Sequence, residues 1–334
     1  MTEQRIVVIG AGAWGTALAI VLADAGNEVR LLARDAAHAT AITQIKRNDK
    51  YLPGIELPGR ISAVTSWDEI EISFNLVLVA IPFQTARAAL GQLKNLSRDF
   101  AGVMFASKGI ELNTHTLAHE LVASELGSEM PFAMVSGPNF AKEVAARLPA
   151  AITIASANSA LLDSLVAAFH TNYFRPYSSD DVIGVEVGGA VKNVIAIAAG
   201  IADGLRLGAN ARAALVTRGL AEIARWGGHC GGRSETFMGL SGLGDLVLTC
   251  TDDLSRNRRF GLSLANGNSV AKSIEDIGVV EGAKTALALD EVANRDGIEM
   301  PIAKQVARVV KEEISPQEAV SLLMSRDLGS EIAN

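Results

Sequence analysis

Two cysteines, Cys230 and Cys250, are all that 334 residues contain. They are too few for a disulfide framework and too far apart for a Cys-x-x-Cys motif, so the chain is expected in a reducing compartment, the cytoplasm by default. Charge is also sparse: 20% of the residues are Asp, Glu, Lys or Arg against 49% hydrophobic ones. That balance excludes a disordered chain and predicts large buried cores, in a length sufficient for two domains. The net charge of −7 argues against broad nucleic-acid binding, yet leaves room for a local basic pocket. Internal repeats and low-complexity tracts are absent. The uncharged residues 6–23 that follow Arg5 resemble a secretory signal superficially. Three glycines at fixed offsets fit strand, turn and helix better. No other segment has the length and lack of charge expected of a membrane span, and no metal is expected.

Residues 5–10, RIVVIG, are a β-branched run suited to a parallel strand buried on both faces. Gly10, Gly12 and Gly15 follow as GxGxxG and open a helix over 13–24 that Gly26 can end. In that setting Gly10 permits a tight turn, Gly12 leaves room for a pyrophosphate, and Gly15 lets helix and strand pack closely. The helix start offers N–H groups to the anion. The next strand, EVRLLARD, ends at Ala33, Arg34 and Asp35, where an adenosine ribose would lie. Arg34 favours NADP by holding a 2′-phosphate, and Asp35 keeps NAD open.

Further strands are predicted at 76–81, 103–107, in PFAMVSG up to Gly137, at 150–156 and at 173–179, with helices near 84–93 and at LLDSLVAAF. Lys108 and Gly109 leave the end of one strand, and Pro138 is expected to open a helix with Asn139, Ala141 and Lys142 in its first turn. After Asp181 the strand-like runs give way to Ala- and Leu-rich helical segments. The predicted fold is therefore α/β: a Rossmann-like doubly wound sheet over 1–180, then an all-helical domain over 181–334. Ser315, Pro316 and Glu318 mark the start of the last helix by a capping box.

Within residues 184–204, GVEVGGAVKNVIAIAAGIADG, Lys192 is the one charge between Glu186 and Asp203. Buried without a partner, such an amine would lose proton affinity and suit acid/base work; alternatively its stem packs while its head reaches water. LSGLGDLVLTCT carries Asp245, either an anchor for an amine or a helix cap. In LSRNRRFG, residues Ser255, Arg256 and Asn257 set a hydroxyl, a guanidinium and an amide side by side, which is either a phosphate clamp or an ordinary basic helix surface.

Together with ASKGIE at 106–111, SGPNFAKEV at 136–144 and GAGAWGTALA at 10–19, these blocks resemble the bacterial type of NAD(P)-dependent glycerol-3-phosphate dehydrogenase, in order, in spacing and nearly end to end. The resemblance implies reversible reduction of dihydroxyacetone phosphate to sn-glycerol 3-phosphate for phospholipid synthesis, with NADP(H) favoured and NAD(H) open. It implies Lys192 as the catalytic acid/base with Asp245 beside it. It implies substrate contacts at Lys108, Gly137, Asn139, Asn193, Ser255, Arg256 and Asn257. Cofactor contacts are implied at Gly10, Gly12, Ala13, Trp14, Gly15, Arg34, Lys108, Ala141, Arg256, Val279 and Glu281. Asn139 departs from the Ser or Thr of many bacterial members. The implied partners are the small substrate alone, without nucleic acid or membrane, and a homodimer is compatible with it. Two rivals share the plan: a β-hydroxyacid or phosphogluconate-type dehydrogenase, and a silent NADPH-binding sensor.

Overall fold

Short apolar runs build one eight-stranded sheet from β1 (Arg5–Ile9), β2 (Glu28–Leu32), β3 (Ile61–Val64), β4 (Leu76–Val79), β5 (Gly102–Phe105), β6 (Phe132–Ser136), β7 (Ala150–Ala155) and β8 (Phe174–Ser179). The structure is a computed structural model that describes residues 3–71, 73–96 and 99–326; residues 1–2 and 327–334, the two ends of the expected domains, lie outside the described residues. The strand order is β3-β2-β1-β4-β5-β6-β7-β8. Strands β1 to β6 pair in parallel. In β4 and β5 every residue is buried, as helices on both faces of a parallel sheet require.

Two features differ from the sequence expectation. Strand β3 is not among the expected strands, because the four residues ISAV are too short a run to stand out; it pairs with β2 at the sheet edge. Strand β7 runs antiparallel to β6 and parallel to β8, so the last two strands oppose the other six. Residues 137–149 hold only the five-residue helix Ala141–Ala145, too little for the long crossover that a parallel neighbour needs.

Strand order reverses between β1 and β4, whose ends Ile9 and Val79 are partners. A crevice opens at the carboxyl ends of strands at such a point. The helix Ala13–Asp24 starts there, with Gly12 as an N-cap that provides no side-chain bond. Gly26 takes φ +97° beyond its end. Gly15 has a steric reason: a Cβ there would sit 2.0 Å from the Gly10 carbonyl oxygen.

After Ser179 every regular element of the described residues is helical. The central helix Val182–Gly204 begins where the Asp181 carboxylate accepts the Gly184 N–H, and it is buried without interruption from Gly184 to Ala202. A helix apolar all round has to be enclosed. Its length and composition alone would also cross a bilayer, which the sequence reading overlooked, but 94% of its most apolar window lies inside the protein. The last helix, Pro316–Met324, forms with the expected Ser315–Glu318 capping box.

Candidate active site

Lys192 sits midway along the central helix, and folding ends its isolation. Its Nζ donates to Asp245 Oδ1 at 2.6 Å and to Thr249 Oγ1 at 2.8 Å. The other oxygen of the same carboxylate, Oδ2, accepts from Lys108 Nζ at 2.5 Å. Asp245 is 1% exposed and opens the helix Asp245–Thr251 without capping it. One buried anion thus lies between two ammonium groups, a cluster with one surplus positive charge when all three are ionised. Burial is the main influence on Lys108, and with the nearby Lys192 cation it outweighs the Asp245 carboxylate, so its pKa falls to about 8. Gly189 makes the approach possible: a Cβ there would crowd Ser136 Oγ at 2.9 Å and the Lys108 stem at 3.3 Å.

Thr249, one helical turn past Asp245, accepts from Lys192 and donates to the Asp245 carbonyl at 2.6 Å. It escaped the sequence reading, although the i, i+4 spacing to Asp245 was a usable signal.

The block at 255–257 divides by role. Ser255 caps the helix Arg256–Ala265 by accepting the Arg258 N–H. Arg258 is buried in ion pairs with Asp203 and Asp253, whereas Arg256 lines the open cleft. Asn257 donates to Asn193 Oδ1 at 2.8 Å and accepts the Gly282 N–H at 2.9 Å, tying that helix start to the central helix beside Lys192. Glu281, at the head of the helix Glu281–Asp296, accepts the Phe83 N–H across from the sheet at 3.1 Å. Burial pushes its pKa up to about 7, against the Phe83 N–H and the Arg256 cation.

A cleft of about 950 Å³ runs from the glycine turn to these groups. Of the residues named from the sequence, Gly10, Gly12, Ala13, Trp14, Arg34, Lys108, Asn139, Lys192, Asn193, Ser255, Arg256, Asn257, Val279 and Glu281 line it. Gly15, Gly137, Ala141 and Asp245 do not; Asp245 reaches it only through the two lysines. Ala141 starts the helix Ala141–Ala145 three residues later than Pro138 predicts, because Phe140 holds the N-cap position. Pro138 and Asn139 belong to the turn before it, with Asn139 Nδ2 fixed on the Ala151 carbonyl at 2.8 Å and its buried Oδ1 unpartnered. The uncapped helix start at Ala13, opening into the cleft at the switch point, fits the anionic pyrophosphate of a dinucleotide.

The profiles for the N-terminus and C-terminus of NAD-dependent glycerol-3-phosphate dehydrogenase match residues 5–162 and 181–321. The chain belongs to this family. Glycerol-3-phosphate dehydrogenase [NAD(P)+] of Herminiimonas arsenicoxydans is 48% identical over 334 residues, covering 99% of this chain and 100% of that one. The protein of the same name from Thioalkalivibrio sulfidiphilus is 47% identical, with 98% of each chain covered. The crystal structure of glycerol-3-phosphate dehydrogenase from Coxiella burnetii superposes with a TM-score of 0.93 at 42% identity, covering 97% of this chain and 99% of that one. Members of the glycerol-3-phosphate dehydrogenase family are oxidoreductases, and this chain keeps both parts of the family's plan, sheet and helical half.

Proposed function

We propose that this chain catalyses the reversible, NAD(P)H-dependent reduction of dihydroxyacetone phosphate to sn-glycerol 3-phosphate, with residues 1–180 binding the dinucleotide and 181–334 bringing the acid/base group. The observation that carries this reading is the buried Lys192–Asp245–Lys108 cluster at the cleft wall, with Arg256 in the same cleft. Gly10, Gly12, Ala13 and Trp14 would hold the pyrophosphate, with Gly15 packing beneath them. Arg34 would face the adenosine end, and Lys108, Arg256, Val279 and Glu281 the rest of the cofactor, with Ala141 behind the cleft wall. Bound there, the reduced nicotinamide supplies a hydride to the carbonyl carbon.

The chain's own residues perform the remaining work. In reduction Lys192 gives a proton to the carbonyl oxygen as negative charge develops on it, and in oxidation it takes that proton back. Asp245 and Thr249 hold its Nζ in place. Ser255, Arg256 and Asn257 receive the phosphate end, Lys108 touches substrate as well as cofactor beside Lys192, and Asn193 and Asn139 shape the pocket, with Gly137 behind its wall. Fixing the remote phosphate spends binding energy on aligning the carbonyl. We assign the reaction to phospholipid-precursor synthesis in the cytoplasm, a reading that the two unpaired cysteines support.

The substrate class is tested in the oxidising direction. Turnover of sn-glycerol 3-phosphate, with glycerol and 3-hydroxy acids inert, is the expected profile; efficient turnover of 3-hydroxy acids would sink the reading. Cofactor choice is tested separately. Arg34→Asp is expected to move preference from NADPH toward NADH by about tenfold or more, the scale of one charge-assisted contact, and an unaltered ratio removes Arg34 from that role.

A further inference from the structure

Residues 107–112 lie against 79–87, and the fastening is nearly continuous. Ser107 Oγ donates to the Ile81 carbonyl at 2.6 Å. Gly109 lies against Phe83, where an added Cβ would come within 3.1 Å of the Phe83 side chain. Gln84 binds the strap twice: Nε2 donates to the Ile110 carbonyl at 2.7 Å, and Oε1 accepts the Leu112 N–H at 3.0 Å. Glu111 accepts from Arg87 Nε at 2.9 Å and Nη2 at 2.7 Å. Lys108 is the exception, directed away from this seam to Asp245 in the helical half.

Gln84 therefore occupies the middle of the seam, and its amide copies the pairing of a strand edge, one donor and one acceptor to backbone groups two residues apart. The preceding residue, Phe83, gives its N–H to Glu281. One short turn, Phe83–Thr85, thus sets both the strap that carries Lys108 and a contact to the helical half. A lysine has several rotatable bonds and gains a defined Nζ position only if its backbone is held.

We propose that Gln84 is a positioning residue for the reaction: its two-bond clamp on Ile110 and Leu112 fixes the Lys108 backbone so that Nζ meets Asp245 beside Lys192. This rests on the function proposed above. Gln84 touches neither substrate nor cofactor in this role; it acts through Lys108.

A double-mutant cycle separates this from a general structural effect. Wild type, Gln84→Ala, Lys108→Ala and the double variant are compared for kcat, KM and thermal midpoint. Gln84→Ala alone is expected to lower kcat/KM for dihydroxyacetone phosphate by about tenfold or more, since a small misplacement of a positioned group carries losses of that order. Any change in NADPH affinity should equal the one that Lys108→Ala produces, because Lys108 is also assigned to the cofactor. In the Lys108→Ala background the same change is expected to cost nothing further. If Gln84→Ala does not fold, Gln84→Glu takes its place, because it keeps the side-chain volume and the Leu112 bond. Losses that multiply in the double variant would overturn the clamp while leaving the function intact. Absence of wild-type turnover would overturn both.

Discussion

Lys192→Ala is expected to lower kcat for dihydroxyacetone phosphate by a factor of about 10²–10⁴, the range lost with a positioned general acid. The nearest cationic alternative, Lys108, is held on the opposite oxygen of Asp245 and is anchored to the sheet strap, so it is not positioned to take over the proton. Dinucleotide binding should change little, because Lys192 is not among the residues assigned to the cofactor. Fluorescence titration with NADPH and steady-state kinetics on one preparation separate the two. Near-normal kcat with normal NADPH affinity would remove Lys192 from the chemistry.

The second large effect concerns Asp245. Removing its carboxylate by Asp245→Ala leaves two nearly buried ammonium groups facing one another, and breaking a buried ion pair costs about 3–5 kcal/mol of stability. Activity should fall with it, because Lys192 loses the acceptor that orients its Nζ. The sign of the pH dependence follows from Lys108. Its folded-state pKa of about 8 lies below its ordinary 10.5, so between these values the unfolded chain binds more protons and stability rises with pH. Asp245 opposes that depression; without it the window extends lower and the gain with pH is larger. The stability gap to wild type should thus narrow as pH rises to about 8 and level off above it in urea titrations. A gap constant with pH would mean that lost packing, not charge, is responsible. Asp245→Asn, which preserves shape, should then behave as wild type.

Much of this fold was legible because it is local. The β-branched runs at β1 and β4, the glycine turn with its helix and the Ser315–Glu318 cap each carry their signal within a few residues. The edge strand β3 was not legible, since the four residues ISAV are too short a run to stand out. Nor was the reversal at β7, which depends on how little helix the preceding connection contains.

The same division holds for the site. Lys192 stood out as a lone charge in an apolar helix, but its partner Asp245 is 53 residues away, and Lys108, the other lysine on that carboxylate, is 137 residues from Asp245. No periodicity reports such a contact. Around 255–257 the structure separates the arginines by place: Arg258 is paired with Asp203 and Asp253, while Arg256 lies at the cleft. Gln84 had no sequence signal, because its function is to bond backbone groups.

The most direct test of the central claim is the loss of NADPH absorbance when purified protein meets dihydroxyacetone phosphate, with unphosphorylated dihydroxyacetone as the comparison. Rapid oxidation that requires the phosphate is the predicted result. Equal rates on both ketones would contradict the phosphate clamp, and no oxidation despite measurable NADPH binding would contradict the assignment of the reaction itself.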